Sequence, residues 1–508
     1  MSGWGSNQET AASAPSKRGI ERALRLGRGG LGTLASPRYT TVESNFVSPR
    51  TRRAFLRDGS VGFGSLALAG LARGFGLASE NPLAARSPHF APRAKRVIFL
   101  FMHGGPSQID TFDYKPLLER DDGKPLPFEK PRIQFAQTGN LMKSPWKFRQ
   151  YGESGQWVSE LFPHVAEHVD ELCFIKSLHG TNEAHGGALL ALHTGSATFV
   201  RPSMGSWVLY GLGSENENLP GFISICPTLS HGGVNNWSSA FLPGIYQGAP
   251  IGNASVPAKQ AGFAHLTNQE IDPRLQREQL DLLREINSEH AERRAADAAL
   301  EARIASYELA FRMQTEAPGV MDSSGESPET LKLYGIDDPT TENFGRQCLL
   351  ARRFAEAGVR FVQCSHSYKW DQHEKLRELH TSNAREVDRP LAALLTDLKA
   401  RGLLDDTLVI WAGEFGRTPT VQGSDGRDHN PHGFTVWLAG GGTKRGFSYG
   451  ETDDYGFYAA RDRVHVHDFH ATLLALLGLD HERLTYRYAG RDFRLTDVAG
   501  RIVHELFA

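Results

Sequence analysis

The sequence predicts an α/β protein with a mostly parallel central sheet and helices packed on both faces. Three observations carry this reading. Short apolar runs bounded by Gly, Pro or polar residues recur along the chain. Segments with apolar residues at helical spacing alternate with them. Polar clusters rich in His and acidic residues follow the apolar runs, one after another.

The runs that read as buried strands are Val97 to Met102, Glu171 to Ser177, Gly221 to Cys226, Val359 to Cys364, Thr407 to Trp411 and Thr435 to Ala439. Helices are expected over Phe344 to Ala357, over Ala384 to Arg401 before Gly402, and over His467 to Leu477 before Gly478. The pattern changes over about residues 268–316, which are long, charged and helical, with Leu275, Leu282, Leu283 and Ile286 as apolar positions. This reads as a helical insertion, a hairpin or cap on the sheet. A low-complexity linker, Glu316 to Ser327, follows.

A chain of 508 residues can bury one large core or two smaller ones. Its formal net charge of -2 argues against a dedicated nucleic-acid binder, which shows a basic excess. There are 4 cysteines and no CxxC pair, so a thiolate zinc site is not expected. Cys173, Cys226 and Cys364 lie in apolar runs and read as small buried hydrophobes; one disulfide stays open in an oxidising compartment. No CxxCH haem site and no dinucleotide glycine fingerprint is present, which leaves little support for a redox role.

The N-terminus reads as an address. Residues 1–50, rich in Ser, Gly, Arg and Thr, show no sustained apolar period and are expected to be disordered. Thr51-Arg52-Arg53-Ala54-Phe55-Leu56-Arg57 matches the twin-arginine export pattern, and a mildly apolar stretch from Ser60 to Ala72 follows. That stretch is too short and glycine-rich for a stable membrane span. A signal over residues 51–85, cleaved between Ala78 and Ala85, predicts a periplasmic or extracellular protein. The structured domain is expected over residues 95–508.

In an open α/β sheet, ligands sit outside the carboxyl ends of the strands. Five clusters fall at such places. After the first run come His103, Gly104, Gly105, Asp110 and Asp113, whose polar members can ligate a metal or hold the loop. After the second come His179, Thr181, Asn182, Glu183 and His185, ahead of an apolar helix whose positive end would favour an anion or a nucleophile. After the fourth come His366, Asp371 and His373, an Asp-x-His suited to chelation. After the fifth come Glu414, a candidate ligand, and Arg417, whose planar fork suits a tetrahedral oxyanion. Just before the last run stand Asp428, His429 and His432. Mixed nitrogen and oxygen donors suit a divalent metal: zinc, iron and manganese in particular, with calcium left open.

Several stretches together resemble a known family. His103-Gly-Gly-Pro-Ser-Gln-Ile-Asp-Thr-Phe-Asp, Arg201-Pro-Ser-Met-Gly-Ser-Trp, Gly413-Glu-Phe-Gly-Arg-Thr-Pro, Gly426-Arg-Asp-His-Asn-Pro and Gly490-Arg-Asp-Phe-Arg-Leu-Thr-Asp are similar to signatures of a large bacterial secreted family of unknown function. The resemblance runs from about Arg96 to Phe507. That family is grouped with the alkaline phosphatase superfold, and its members are often labelled sulfatase-like. It implies an alkaline phosphatase/sulfatase-like three-layer sandwich. It places His103 where the superfold has a metal-binding Asp. Counting back from Leu192-His193-Thr194-Gly195 places its nucleophile position on His185, with Thr181 the nearest hydroxyl. It also makes Asp371, His373 and either His429 or His432 metal ligands, and Glu414-Phe415 the acidic pair after a late strand.

Two functions follow as expectations. One is a metal-dependent hydrolase of phosphate or sulfate esters, in which Glu414 is a ligand or general base, and Thr181 or His185 attacks unless an activated water does. The other is a non-catalytic descendant that binds a sulfated polysaccharide, an envelope polymer or a partner protein, since fold does not carry function with it.

Overall fold

The apolar runs are strands. In the computed structural model the described residues are 81–129, 137, 139–267, 270–292 and 298–508. The expected disordered segment 1–50 and the twin-arginine motif Thr51 to Arg57 lie outside them. The strands are β1 (Arg96–Met102), β2 (Leu172–His179), β3 (Phe222–Ile225), β4 (Ala249–Ile251), β5 (Phe361–His366) and β6 (Thr407–Ala412), then β7 (Gly416–Gln422), β8 (Gly426–Asn430), β9 (Phe434–Ala439), β10 (Phe447–Tyr449) and β11 (Val464–His465). Nine of them form one sheet in the order β10-β2-β9-β6-β1-β5-β3-β4, with β11 also paired to β2. All pairings in it are parallel except those of β9, which runs antiparallel to both β2 and β6.

Alternation along β1 splits the core into two layers. Ile98, Leu100 and Met102 pack on one face with α6 (Glu342–Glu356) and α7 (Leu376–Ala400). Val97, Phe99 and Phe101 pack on the other with α2 (His185–Thr194), α3 (Met204–Leu212) and α8 (Val466–Leu476). Both layers are mostly apolar at the sheet, which is why these strands read as near-continuous hydrophobic runs. The short helix α1 (Gln108–Thr111) follows β1. Helix α7 starts earlier than Ala384 because Leu376 and His380 are also buried.

The charged stretch contains α4 (Pro273–Glu292) and α5 (Ala298–Met321). Helix α5 continues past Glu316 through Pro318, so the linker expected to begin at Glu316 starts later. Ala302, Leu309 and Ala317 are buried, whereas Leu275, Leu282, Leu283 and Ile286 of α4 are exposed. All four cysteines are free and buried. Burial pushes the Cys173 and Cys226 thiols up to about 12. Among the described residues no helix is long and apolar enough to cross a membrane.

The hairpin of β7 and β8 departs from the sequence reading, which placed only polar clusters there. Its Gly, Arg, Asp and His residues have poor strand propensity. Buried charge holds it instead. Arg427 donates to Asp110 from Nε at 2.7 Å and from Nη2 at 3.2 Å, and both side chains are fully buried.

Candidate metal centre

The rim is assembled from strand ends. His103 follows β1, Asp371 follows β5, and Glu414 follows β6. His185 opens α2 beyond the end of β2. His429 arrives differently. Because β9 is reversed, the segment entering it lies at the same edge where its neighbours end, and β8 delivers His429 there. Gly104 lets two of these loops touch. Its φ is +118°, and a Cβ there would lie 2.7 Å from the backbone nitrogens of Trp370 and Asp371.

Asp371 is the hub. His373 Nε2 lies 3.0 Å and His429 Nε2 3.1 Å from its Oδ1, and His185 Nε2 lies 3.2 Å from its Oδ2. The opposite nitrogen of each imidazole is already held. His185 Nδ1 is 2.6 Å from Glu414 Oε1, His429 Nδ1 is 2.6 Å from the Glu183 carbonyl, and His373 Nδ1 is 2.5 Å from Gln422 Oε1. Acceptors at Nδ1 hold a proton there, so each ring points Nε2 toward the centre, where it can donate to Asp371 or, once deprotonated, would offer its lone pair to an ion. Histidines that ligate metals are oriented in this way by their outer partners. The His185 Nε2 approach to Asp371 lacks hydrogen-bond alignment, which leaves that buried nitrogen without a partner, as is His103 Nδ1.

Three overlapping groups of side chains could each hold an ion: His103, His185 and His231; His185, Asp371 and His429; and His373, Asp428 and His429. Within each, the ligand atoms lie within 4.8 Å of one another. Deprotonated at Nε2, imidazoles beside one carboxylate would be donors that zinc, iron or manganese accept, and the buried unpartnered nitrogen of His185 fits such an ion.

Electrostatics agree with a charged Asp371. Burial opposes its ionisation, but His185, His373, His429 and Arg417 together hold its carboxyl far below the usual range. Burial also works against a charged His185, yet the Asp371 and Glu414 carboxylates outweigh it and raise its pKa to about 8. Burial lowers His103 to about 4 and also lowers His429. Glu414 stays below its ordinary value because His185 and His103 outweigh its burial.

The sequence-predicted residues do not all meet. His103, His185, Asp371, His373, Asp428 and His429 come together. Glu414 is adjacent, but its oxygens accept His185 and the Gly104 N–H at 3.0 and 3.1 Å, so it orients a ligand and does not stand among the ligand groups. Arg417 was expected to clamp an oxyanion. Its guanidinium is fully buried and donates to the carbonyls of Gly104, Gly105, Trp370 and Arg427 and to Asp371 at 2.7 Å. Those bonds fix loops and Asp371, which leaves the clamp role without donors facing the site. Thr181 is exposed on the loop ahead of α2. His432 lies against the Phe457 and Tyr458 rings, outside the three groups, so of the two alternatives the geometry favours His429. His366 accepts Trp370 Nε1–H at 2.9 Å and reaches Glu386 at 3.0 Å, which braces the Asp371 loop. Asp110 and Asp113 hold structure, through Arg427 and through Lys115 with Thr452.

Sequence reasoning missed His231. It follows β3 at a φ of 49°, with Nδ1 3.2 Å from His103 Nε2 and its ring stacked 5.0 Å from His185. The signal was present: Ser230-His231-Gly232-Gly233 repeats the His-Gly-Gly of His103 after a strand. Tyr368, also at positive φ, adds its hydroxyl 3.3 Å from Asp371 Oδ2.

Comparison with solved structures finds similar chains at low identity. The lipoteichoic acid synthase LtaP from Listeria monocytogenes is 10% identical, with 81% of this chain and 78% of that one covered and a TM-score of 0.35. The PsFucS1 sulfatase from Pseudoalteromonas sp. is 12% identical, with 77% and 69% covered and a TM-score of 0.34. Alkaline phosphatase from the Antarctic bacterium TAB5 is 9% identical, with 77% and 99% covered and a TM-score of 0.33. No curated protein matches the sequence. A family model described as "Protein of unknown function (DUF1501)" matches residues 94–507, most of the chain, and the protein belongs to that family.

Proposed function

We propose that this chain is a metal-dependent hydrolase of phosphate or sulfate esters. The observation that carries the reading is the convergence of three imidazole Nε2 atoms on Asp371, each ring held at Nδ1 by an acceptor. A bound divalent ion supplies a Lewis acid that polarises the ester and lowers the pKa of water. Asp371 and His429, with His185 or His373, would hold that ion. Imidazole-rich donors favour zinc, iron or manganese over calcium, which takes mostly oxygen ligands. Glu414 keeps a proton on His185 Nδ1 and so keeps Nε2 turned inward.

No serine or cysteine stands at the nucleophile position, which His185 occupies with Nδ1 committed to Glu414. Attack by water, with no covalent intermediate on a hydroxyl, is the reading this supports. The test is metal analysis of the purified chain and of the Asp371→Ala and His429→Ala variants, with turnover of aryl phosphates and aryl sulfates. Metal in the wild type, its loss in both variants and parallel loss of turnover are expected. A metal-free, inactive wild type defeats the proposal.

The absent hydroxyl nucleophile also favours a second reading, a non-catalytic binder of sulfated polysaccharide. Glycan-array binding with no hydrolysis distinguishes it. Export by the twin-arginine route rests on Thr51 to Arg57 alone. Retention in the cytoplasm when Arg52 and Arg53 are both changed to Lys is the expected outcome, and unchanged export removes it.

A further inference from the structure

Asp371 is approached by a side chain that the ligand groups do not use. Tyr368 lies in the loop after β5, and its hydroxyl donates to Asp371 Oδ2 at 3.3 Å. Its ring centre lies 4.8 Å from that of His231, 4.9 Å from that of His103 and 5.7 Å from that of His185. One phenol thus stands against both the carboxylate and the three imidazoles of one candidate ligand group.

Packing accounts poorly for this residue. Tyr368 has a φ of 48°, a left-handed conformation that is costly for a bulky side chain. Burial does not offset that cost, because Tyr368 is 47% exposed while the neighbouring Trp370 is fully buried. The conformation is imposed from both sides. Ser367 Oγ donates to the Cys226 carbonyl at 3.1 Å. The N–H groups of Lys369 and Trp370 both donate to the His103 carbonyl at 3.1 Å, and the side chains of Gln372 and Asn383 donate to the Lys369 carbonyl. Strained residues held this firmly cluster at active sites and ligand clamps.

The hydroxyl is also loosely used. An O–H donor ordinarily approaches an oxygen to about 2.7–2.8 Å, so the bond to Asp371 is a long one. The charged donors nearby are committed, Arg417 to loop carbonyls and Asp371, and Lys369 to Glu386. An anionic ester at this centre needs a donor, and Tyr368 offers one that faces solvent.

We propose that Tyr368 is a substrate-binding residue, its phenol O–H donating to a non-bridging oxygen of the sulfate or phosphate group. This rests on the ester-hydrolase reading and adds to it the side chain that holds the anion. A hydrogen bond to an ionised acceptor is about twice as strong as one between neutral groups, so the anion outcompetes the long contact to Asp371.

The test is calorimetric titration of the metal-loaded full chain with inorganic phosphate and with sulfate, against sodium chloride at matched ionic strength. Wild type should bind at least one of them saturably, and the tighter anion assigns the ester class. Tyr368→Phe should lose about tenfold or more in that affinity with metal content unchanged. A second measurement needs no metal: the metal-free Tyr368→Asn variant should melt no lower than the wild type, because asparagine tolerates a positive φ and little burial is lost. Anion affinity unchanged in Tyr368→Phe, a metal-loaded wild type that binds neither anion, or a lower melting temperature in Tyr368→Asn overturns the proposal and leaves the metal centre standing. A wild type that takes up no metal defeats the hydrolase reading, and this proposal with it.

Discussion

His185 Nδ1 lies 2.6 Å from Glu414 Oε1, and the same carboxylate accepts the backbone N–H of Gly104. One buried side chain thus couples the first turn of α2 to the loop after β1. It also fixes which nitrogen of His185 faces Asp371.

Replacing that carboxylate tests the coupling. Glu414→Gln keeps the shape but weakens the acceptor at His185 Nδ1. Metal affinity should fall by about 10–100-fold, the usual cost of losing an outer partner of a ligating histidine. Competition with a chelator of known affinity measures it. An unchanged affinity would show that Glu414 does not orient a ligand.

Gly104→Ala addresses the loop contact. The added Cβ would meet the Trp370 and Asp371 backbone at 2.7 Å in a region of φ that alanine disfavours. The Asp371 loop must shift, and metal stoichiometry should drop while far-ultraviolet circular dichroism stays that of the wild type. Stability should fall by about 1–3 kcal/mol from backbone strain. Full metal content in this variant would mean that the loop relaxes without moving Asp371.

The Asp110–Arg427 pair is a structural device. Both side chains are fully buried, and Arg427 also donates to the Thr418 carbonyl at 3.1 Å. Asp110→Ala leaves the guanidinium uncompensated, which should cost about 3–5 kcal/mol. Denaturant unfolding measures it. A loss below about 1 kcal/mol would mean that the carbonyls alone neutralise Arg427.

Acid should destabilise the metal-free chain through its interior histidines. Burial lowers His380 and His470 to about 3, and His193 to about 4, from an ordinary value of 6.5. The folded chain keeps these rings neutral, while the unfolded chain protonates them below about 6.5. Their contribution is therefore complete above that pH and is lost progressively as pH falls from about 6.5 toward 3. The melting temperature should decline over this window. His380→Gln, which retains an acceptor for the Ser107 N–H held at 3.1 Å, should flatten the decline.

Much of the fold was legible because its strands are buried on both faces. Val97 to Met102 and Leu408 to Trp411 have no polar residue to mask them. The direction of Phe434–Ala439 was not legible, because an apolar strand reads the same in either sense. The β7–β8 hairpin was hidden for another reason: its stability comes from Arg427 and Asp110, which are 317 residues apart. At the centre, residue types were readable and roles were not. Arg417 and His429 both stand in polar clusters, and only three-dimensional neighbours decide that one braces loops while the other joins the candidate ligand groups. His231 escaped notice because the loop after its strand offers only Ser-His-Gly-Gly, with no carboxylate beside it.

The four unpaired cysteines give the molecule a built-in stopwatch. A thiol shifted to about 12, as at Cys173 and Cys226, holds almost no thiolate at neutral pH, and the surrounding side chains bar reagents as well. Alkylation in native buffer can therefore advance only as fast as the sheet opens. Its rate reports how often the domain comes apart, with no dye or engineered label.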